Sequence, residues 1–144
     1  MSPFNLQMVT AEREILSRDV DLMVVPGIEG EMTILSRHAP LLTQVKPGEI
    51  RVRSGEEEWL IAISGGFLEV GGNRAVILAD AAERAEEIDI SRAEAALKRA
   101  EERLEHRGEH VDLGRALAAL SRAEARVRAY RRYSQRTGVP GHRS

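Results

Sequence analysis

The sequence predicts a small β sandwich or barrel of many short strands, followed by an antiparallel helical hairpin. Three observations carry this. Up to about residue 80, apolar residues recur with the short period of strands, interrupted by Gly and Pro turns at intervals near ten residues. From Ile90 onward they recur every three or four residues, the period of an amphipathic helix. The charge reverses at the same point: residues 1–90 hold 8 Lys and Arg against 16 Asp and Glu, whereas residues 91–144 hold 13 against 7. The overall charge of -2 thus conceals an acidic piece and a basic one. These breaks predict a sandwich over 1–87, a hairpin over 88–133 and a loose tail over 134–144.

Phe4 to Val9 alternates and reads as the first strand, and Ile15 to Arg18 as a short second one after the polar turn at Glu12 and Arg13. Val20 to Val25 is a denser apolar run that Pro26-Gly27 closes as a turn. A further turn falls at Glu29-Gly30-Glu31, after which Met32 to Leu35 fits strand or helix on pattern alone. Pro40 biases Ala39 to an extended conformation. Lys46-Pro47-Gly48 turns into the alternating Glu49 to Arg53, and Ser54-Gly55-Glu56 closes a hairpin into Trp59 to Ile63. Ser64-Gly65-Gly66 and Gly71-Gly72-Asn73 then bound Phe67 to Val70 and introduce Arg74 to Leu78. The glycine pairs lack the Lys and Ser or Thr of a phosphate-binding loop and read as hairpin turns.

At the junction, Asp89 precedes the helical pattern and Ser91 is followed three residues later by Glu94, both helix-start signals. Arg92 opposes the helix macrodipole at that end, so it calls for a local anion, supplied by Asp89 or by a bound phosphate. The first helix carries Ile90, Ala93, Leu97, Ala100 and Leu104. Arg107 to His110 breaks it, Asp112 is the next N-cap, and Leu113, Ala116, Leu117, Leu120, Ala123, Val127 and Tyr130 mark the second helix. Alanines allow close approach but bury little area, so the hairpin is expected to be weakly held and able to repack elsewhere.

Composition narrows the function. The chain has no Cys, which removes disulfides, thiol catalysis and cysteine-held metals. No apolar run approaches the roughly 20 residues that cross a bilayer, so the expected protein reaches a membrane only through a partner, without inserting. No convergent set of nucleophile, base and metal ligands is visible, so neither a catalytic residue nor an intrinsic metal site is expected; His38 reads as a structural or interface residue. Arg92, Arg99 and Arg103 share one face of the first helix, and Arg115, Arg122 and Arg126 one face of the second. Such rows are solvated faces or wait for an acidic partner or polyanion. A nucleic-acid module using the basic hairpin is the alternative, weakened by an acidic first domain and an aromatic content of 3%.

Gly30-Glu31-Met32-Thr33-Ile34-Leu35, His38-Ala39-Pro40-Leu41-Leu42-Thr43, Lys46-Pro47-Gly48, Gly65-Gly66-Phe67-Leu68-Glu69-Val70, then Asn73 and Val76 to Ala82 together resemble the epsilon subunit of bacterial F-type ATP synthase. The blocks keep the family's order from Phe4 to about Tyr133. Met32 stands where Leu is usual and Ser36-Arg37 where Pro-Gly is common, departures expected to lie in a loop. The resemblance implies a ten-stranded flattened sandwich that packs on the gamma subunit and rests on the polar loops of the c-ring, peripherally at the cytoplasmic face of the plasma membrane. It places Glu29, Gly30 and Glu31 at the ring-facing end and His38 in the gamma-contact block. It further implies that the hairpin, when extended, sets Arg115, Arg122 and Arg126 near acidic loops of beta within the alpha and beta head and restrains ATP hydrolysis. Finally, Ile88, Asp89, Arg92 and Ala93 match a motif that binds ATP in some members, with Glu83, Arg99, Arg122 and Arg126 where those members place further ligands. ATP would there be a regulatory signal, not a substrate, since no phosphate loop or hydrolytic base accompanies it.

Overall fold

The computed structural model describes residues 2–106 and 112–137. Ten strands form one continuous sheet folded over on itself: β1 (Phe4–Val9), β2 (Glu14–Val20), β3 (Leu22–Gly27), β4 (Gly30–Leu35), β5 (Leu41–Val45), β6 (Gly48–Ser54), β7 (Glu57–Ile63), β8 (Gly66–Gly71), β9 (Arg74–Ala79) and β10 (Ala82–Arg84). Their order is β10-β7-β6-β3-β5-β8-β9-β1-β2, with β4 added beside β3. One residue pair, Gly27 with Val45, joins β3 to β5 and lets the sheet turn from one leaf to the other. The two outermost strands meet on the far side, where the Arg84 guanidinium donates to the Ile15 carbonyl at 2.8 and 3.1 Å. The sandwich is therefore almost closed, with a side chain in place of the last ladder.

Alternation supplies the interior. Leu6, Met8, Met23, Ile34, Ile50, Ile61, Leu68 and Ile77 are fully buried between the leaves, each contributing about 1.5–3 kcal/mol by removal from water. Gly66 (φ 150°) begins β8 so close to β9 that a Cβ there would run into the Leu78 carbonyl.

Four local expectations are corrected. The Val20–Val25 run is two strands, because Asp21 turns the chain: its carboxylate accepts from the Gly55 amide at 2.7 Å and its amide donates to the Arg53 carbonyl at 2.8 Å. Pro26 and Gly27 lie within β3, and the two turn signals belong to one tight hairpin at Ile28-Glu29, with Gly27 opposite Gly30. Met32 faces Val25 in that ladder and so lies in a strand, not a loop. Ser91 and Glu94 form no capping box; Asp89 caps the helix and Glu94 instead pairs with Arg131 at 3.0 Å.

After a single 3-10 turn (Ala85–Glu87), α1 (Ile90–Glu105) and α2 (Leu113–Thr137) form the antiparallel hairpin. Asp89 accepts from the Arg92 amide at 3.2 Å and Asp112 from the Arg115 amide at 3.1 Å, so each helix starts on a carboxylate cap. Helix α2 outruns the expected boundary at 133. Its last turns lie on the sandwich, where Arg132 pairs with Glu49 of β6 at 2.9 Å and Arg136 pairs with Glu58 of β7. Ser134 is buried there, its hydroxyl donating to the Arg131 carbonyl. A tail beginning at 134 is thus replaced by helix to Thr137; the expected helix break at 107–110 and the rest of the tail lie outside the described residues.

Candidate functional site

Where the hairpin lies across the sandwich edge, it leaves a cleft of about 550 Å³, within the usual size of a small-molecule site. The floor is the end of β7 with β10: Ala62, Ile63, Ser64, Ala81, Ala82 and Glu83. The walls are the facing sides of the helices. Ala96 and Ala100 on α1 and Ala119 and Ala123 on α2 keep the walls low, while Arg99 and Arg103 from one helix and Arg122 and Arg126 from the other reach over them. Small residues make the space and long ones bring charge to its rim.

Four of the residues singled out in the sequence therefore converge: Glu83, Arg99, Arg122 and Arg126. Glu83 and Arg126 are joined by a short hydrogen-bonded ion pair, each side chain less than a third exposed. That pair both ties α2 to β10 and fixes the direction of one guanidinium.

The four motif residues at the start of α1 do not line the cleft. Ile88 and Ala93, 5% and 0% exposed, fill a second apolar cluster with Leu60, Ala62, Ala85, Val127 and Ala129 beneath the hairpin. Asp89 is occupied as the helix cap, and Arg92 projects from the exposed first turn. Their structural effect on the cleft is indirect: they set where α1 begins and how closely it approaches α2.

Arg13 also lines the cleft, from the turn between β1 and β2. No local pattern announces it, because its proximity depends on β2 meeting β10 at the closure of the sandwich. Its Nη2 donates to Glu87 Oε1 at 3.1 Å. That hydrogen bond, more than the opposing desolvation, holds the Glu87 carboxyl below the ordinary glutamate range. Arg103 was visible as the next step of the Arg99 row.

The expected interface residues lie elsewhere. Glu29, Gly30 and Glu31 are exposed at the β3–β4 hairpin, with Glu31 3.8 Å from Arg51. His38 follows the opposite end of β4, half-buried, with Nδ1 2.7 Å from the Ala39 carbonyl. A carbonyl only accepts, so the proton of that bond sits on Nδ1. The preceding turn is fixed by Asn73, whose Oδ1 accepts from the Arg37 amide at 2.8 Å and whose amide donates to the Pro3 carbonyl at 3.0 Å. Arg115 is exposed at the start of α2, away from the cleft. Among the described residues no group of three His, Asp or Glu is placed to hold a metal, and no helix is long and apolar enough to cross a membrane.

Comparison with known proteins divides the chain in the same way. Residues 3–85 match the family described as ATP synthase, Delta/Epsilon chain, beta-sandwich domain, and residues 86–131 match its long alpha-helix domain. An ATP synthase epsilon chain of Dehalococcoides mccartyi is 57% identical over 101 residues, covering 70% of this chain and 72% of the relative. That of Carboxydothermus hydrogenoformans is 53% identical over 102 residues, covering 71% and 76%. In structure, a chain of the Euglena gracilis mitochondrial ATP synthase OSCP/F1/c-ring assembly is similar with a TM-score of 0.77 and 27% identity, over 87% of this chain and 79% of that one. Two adjoining matches that together span the sandwich and the hairpin, with relatives more than half identical, show that the chain belongs to the delta/epsilon chain family of ATP synthase.

Proposed function

We propose that this chain works as a rotor subunit in the central stalk of a bacterial F-type ATP synthase, with a sandwich that couples and a hairpin that regulates. The observation that carries this division is the existence of two separate apolar interiors. The cluster between the leaves draws every buried member from residues 4 to 79 and is complete without the helices. The cluster beneath the hairpin is small and rich in alanine. A sandwich that owes its interior to itself can stay bound to partners while the hairpin lifts away.

In this reading the sandwich binds gamma near His38 and rests on the c-ring polar loops near Glu29, Gly30 and Glu31, at the cytoplasmic face of the membrane. The subunit is non-catalytic and acts by position. Lifted from the sandwich, the hairpin would present Arg115, Arg122 and Arg126 to acidic loops of beta in the alpha and beta head and obstruct rotation in the hydrolytic direction. Folded down, it would take ATP as a regulatory ligand. Three observations support that ligand class: the size of the cleft, the convergence of guanidiniums from both helices, and the fork geometry by which arginine binds phosphate oxygens while staying charged. Arg99 and Arg122 would hold phosphates, and Glu83 would orient Arg126. Asp89, Ile88 and Ala93 would act through helix capping and packing, and Arg92 through its positive charge at the same end of α1. Binding the folded-down form alone would draw the hairpin there by mass action.

Reconstitution tests the division. A chain ending after Glu87 is expected to fold, to co-purify with gamma and the ring, and to leave ATP hydrolysis unrestrained. The full chain with Arg115, Arg122 and Arg126 replaced by alanine is expected to bind gamma but inhibit weakly. Loss of gamma binding on truncation would sink the two-part reading, and undiminished inhibition by the triple variant would make the basic face a merely solvated one.

A further inference from the structure

We propose that Arg13, on the turn between β1 and β2, is a phosphate-binding residue of the cleft and the one through which a nucleoside triphosphate fastens the hairpin to the sandwich. The inference rests on the reading of the cleft as a nucleotide site and adds to it a residue from outside the hairpin and the junction.

The charges of the cleft sort by the element that carries them. Arg99 and Arg103 belong to α1, and Arg122 and Arg126 to α2, so all four travel with the hairpin. A polyanion held by these alone would tie one helix to the other, and it could do so whether or not the pair lay on the sandwich. A ligand shifts an equilibrium only through its different affinity for the two states. Favouring the docked state therefore requires contacts that exist only there, made to the sandwich. The sandwich contributes to the cleft neutral residues from Ala62 to Ser64 and at Ala81 and Ala82, the Glu83 carboxylate, which repels phosphate, and Arg13. Among the residues lining the cleft, Arg13 is the sandwich's positive charge.

The local structure suits the task. The Thr10 hydroxyl accepts from the amides of Glu12 and Arg13, each at 3.2 Å, and the Thr10 amide donates to the Arg13 carbonyl at 2.9 Å, so the turn is fixed before any ligand arrives. The Arg84 bonds to Ile15 fix the distance between that turn and β10, which forms the floor. The Arg13 side chain is 49% exposed and gives one Nη2 contact to Glu87. A guanidinium has five donors, so a phosphate can engage the remaining ones, or replace Glu87 outright.

The rival account is that Arg13 is only a structural tie to Glu87, and two variants separate the two. Arg13→Ala removes both the tie and the phosphate contact; Glu87→Gln replaces the competing carboxylate by a neutral acceptor and leaves the guanidinium in place. Calorimetric titration of the full chain with ATP is expected to show affinity about tenfold weaker in Arg13→Ala, and unchanged or tighter in Glu87→Gln. Amide exchange of α2 should slow on adding ATP to the wild type and to Glu87→Gln, but not to Arg13→Ala at an ATP concentration that saturates it. Equal affinity and equal protection in wild type and Arg13→Ala would overturn the role of Arg13 while leaving the nucleotide site standing. Equal losses in both variants would overturn it in favour of the tie. No binding of millimolar ATP by the wild type would remove the nucleotide site itself, and this role with it.

Discussion

The sandwich and the hairpin are both held by apolar burial, but with residues of different size. Between the leaves the largest fully buried side chains are Leu, Ile, Met and Val. Among the described residues, the buried apolar side chains of the helices are Ala93, Ala100, Ala116, Ala123, Ala125 and Ala129, with Val127 the larger member. A buried methyl is worth about 0.8 kcal/mol, against about 1.5–3 for a buried Leu or Ile. The hairpin is supplemented by ion pairs to the sandwich, at Glu83, Glu49 and Glu58. Such pairs gain less than apolar burial and weaken with salt. Large apolar side chains hold one part, and small ones with charge pairs hold the other, so lifting the hairpin as proposed would cost less than opening the sandwich.

The contrast is sharpest under truncation of a core side chain. Leu68→Ala, at a fully buried site in β8, is expected to cost about 2–5 kcal/mol, seen as a lower urea midpoint for the whole chain. A loss well under 1 kcal/mol would mean that the leaves are loosely packed and that the comparison fails. The converse change probes the hairpin. Ala129→Leu, at a site with no exposed surface beneath α2, overfills a close contact at about 1–3 kcal/mol. It should be read as faster amide exchange in α1 and α2 with the β-strand amides unchanged. Exchange rising equally in the strands would show that the two parts are one cooperative unit.

The smallest effect lies at the junction. The folded-state pKa of Glu87 is lowered by its hydrogen bond from Arg13, so its contribution is present above the ordinary glutamate range and is lost as pH falls below it through the lowered value. NMR titration of the Glu87 carboxyl should show the low value in wild type and a return to the ordinary range in Arg13→Ala. An unchanged titration in that variant would remove the tie between the β1–β2 turn and the start of the hairpin.

Much of the architecture was legible because period and turn chemistry are local. Strand β1, the Ser54-Gly55-Glu56 turn and both helix caps follow from residues within a few positions of one another. What escaped was set by distant contacts. Strand β10, three residues long, carries no alternation of its own and exists because β7 offers it an edge. Helix α2 continues past Tyr133 where Glu49 and Glu58 receive its arginines, charges that lie about eighty residues upstream. The cleft divides likewise. Arginines at helical spacing announced one wall each, whereas Arg13 joined them only through closure of the sandwich. The Asp89 motif was equally legible, but in the folded chain its residues cap and pack.

The parallel pairing of β1 with β9 joins Asn5 to Arg74 and Val9 to Leu78. Strand β1 therefore waits for roughly seventy further residues before its second neighbour arrives, and closing so long a loop slows folding. Until then its apolar face and one hydrogen-bonding edge are open to other chains. Strand β2 is the earliest partner within reach, and β1 with β2 alone is a two-stranded ribbon, marginal in water. The strands that close the sandwich, β9 and β10, both precede α1 in the chain, so closure does not have to wait for the hairpin. The slow, aggregation-exposed stage of folding thus falls on the sandwich, and the basic hairpin, which follows it in the chain, can dock on a surface already formed.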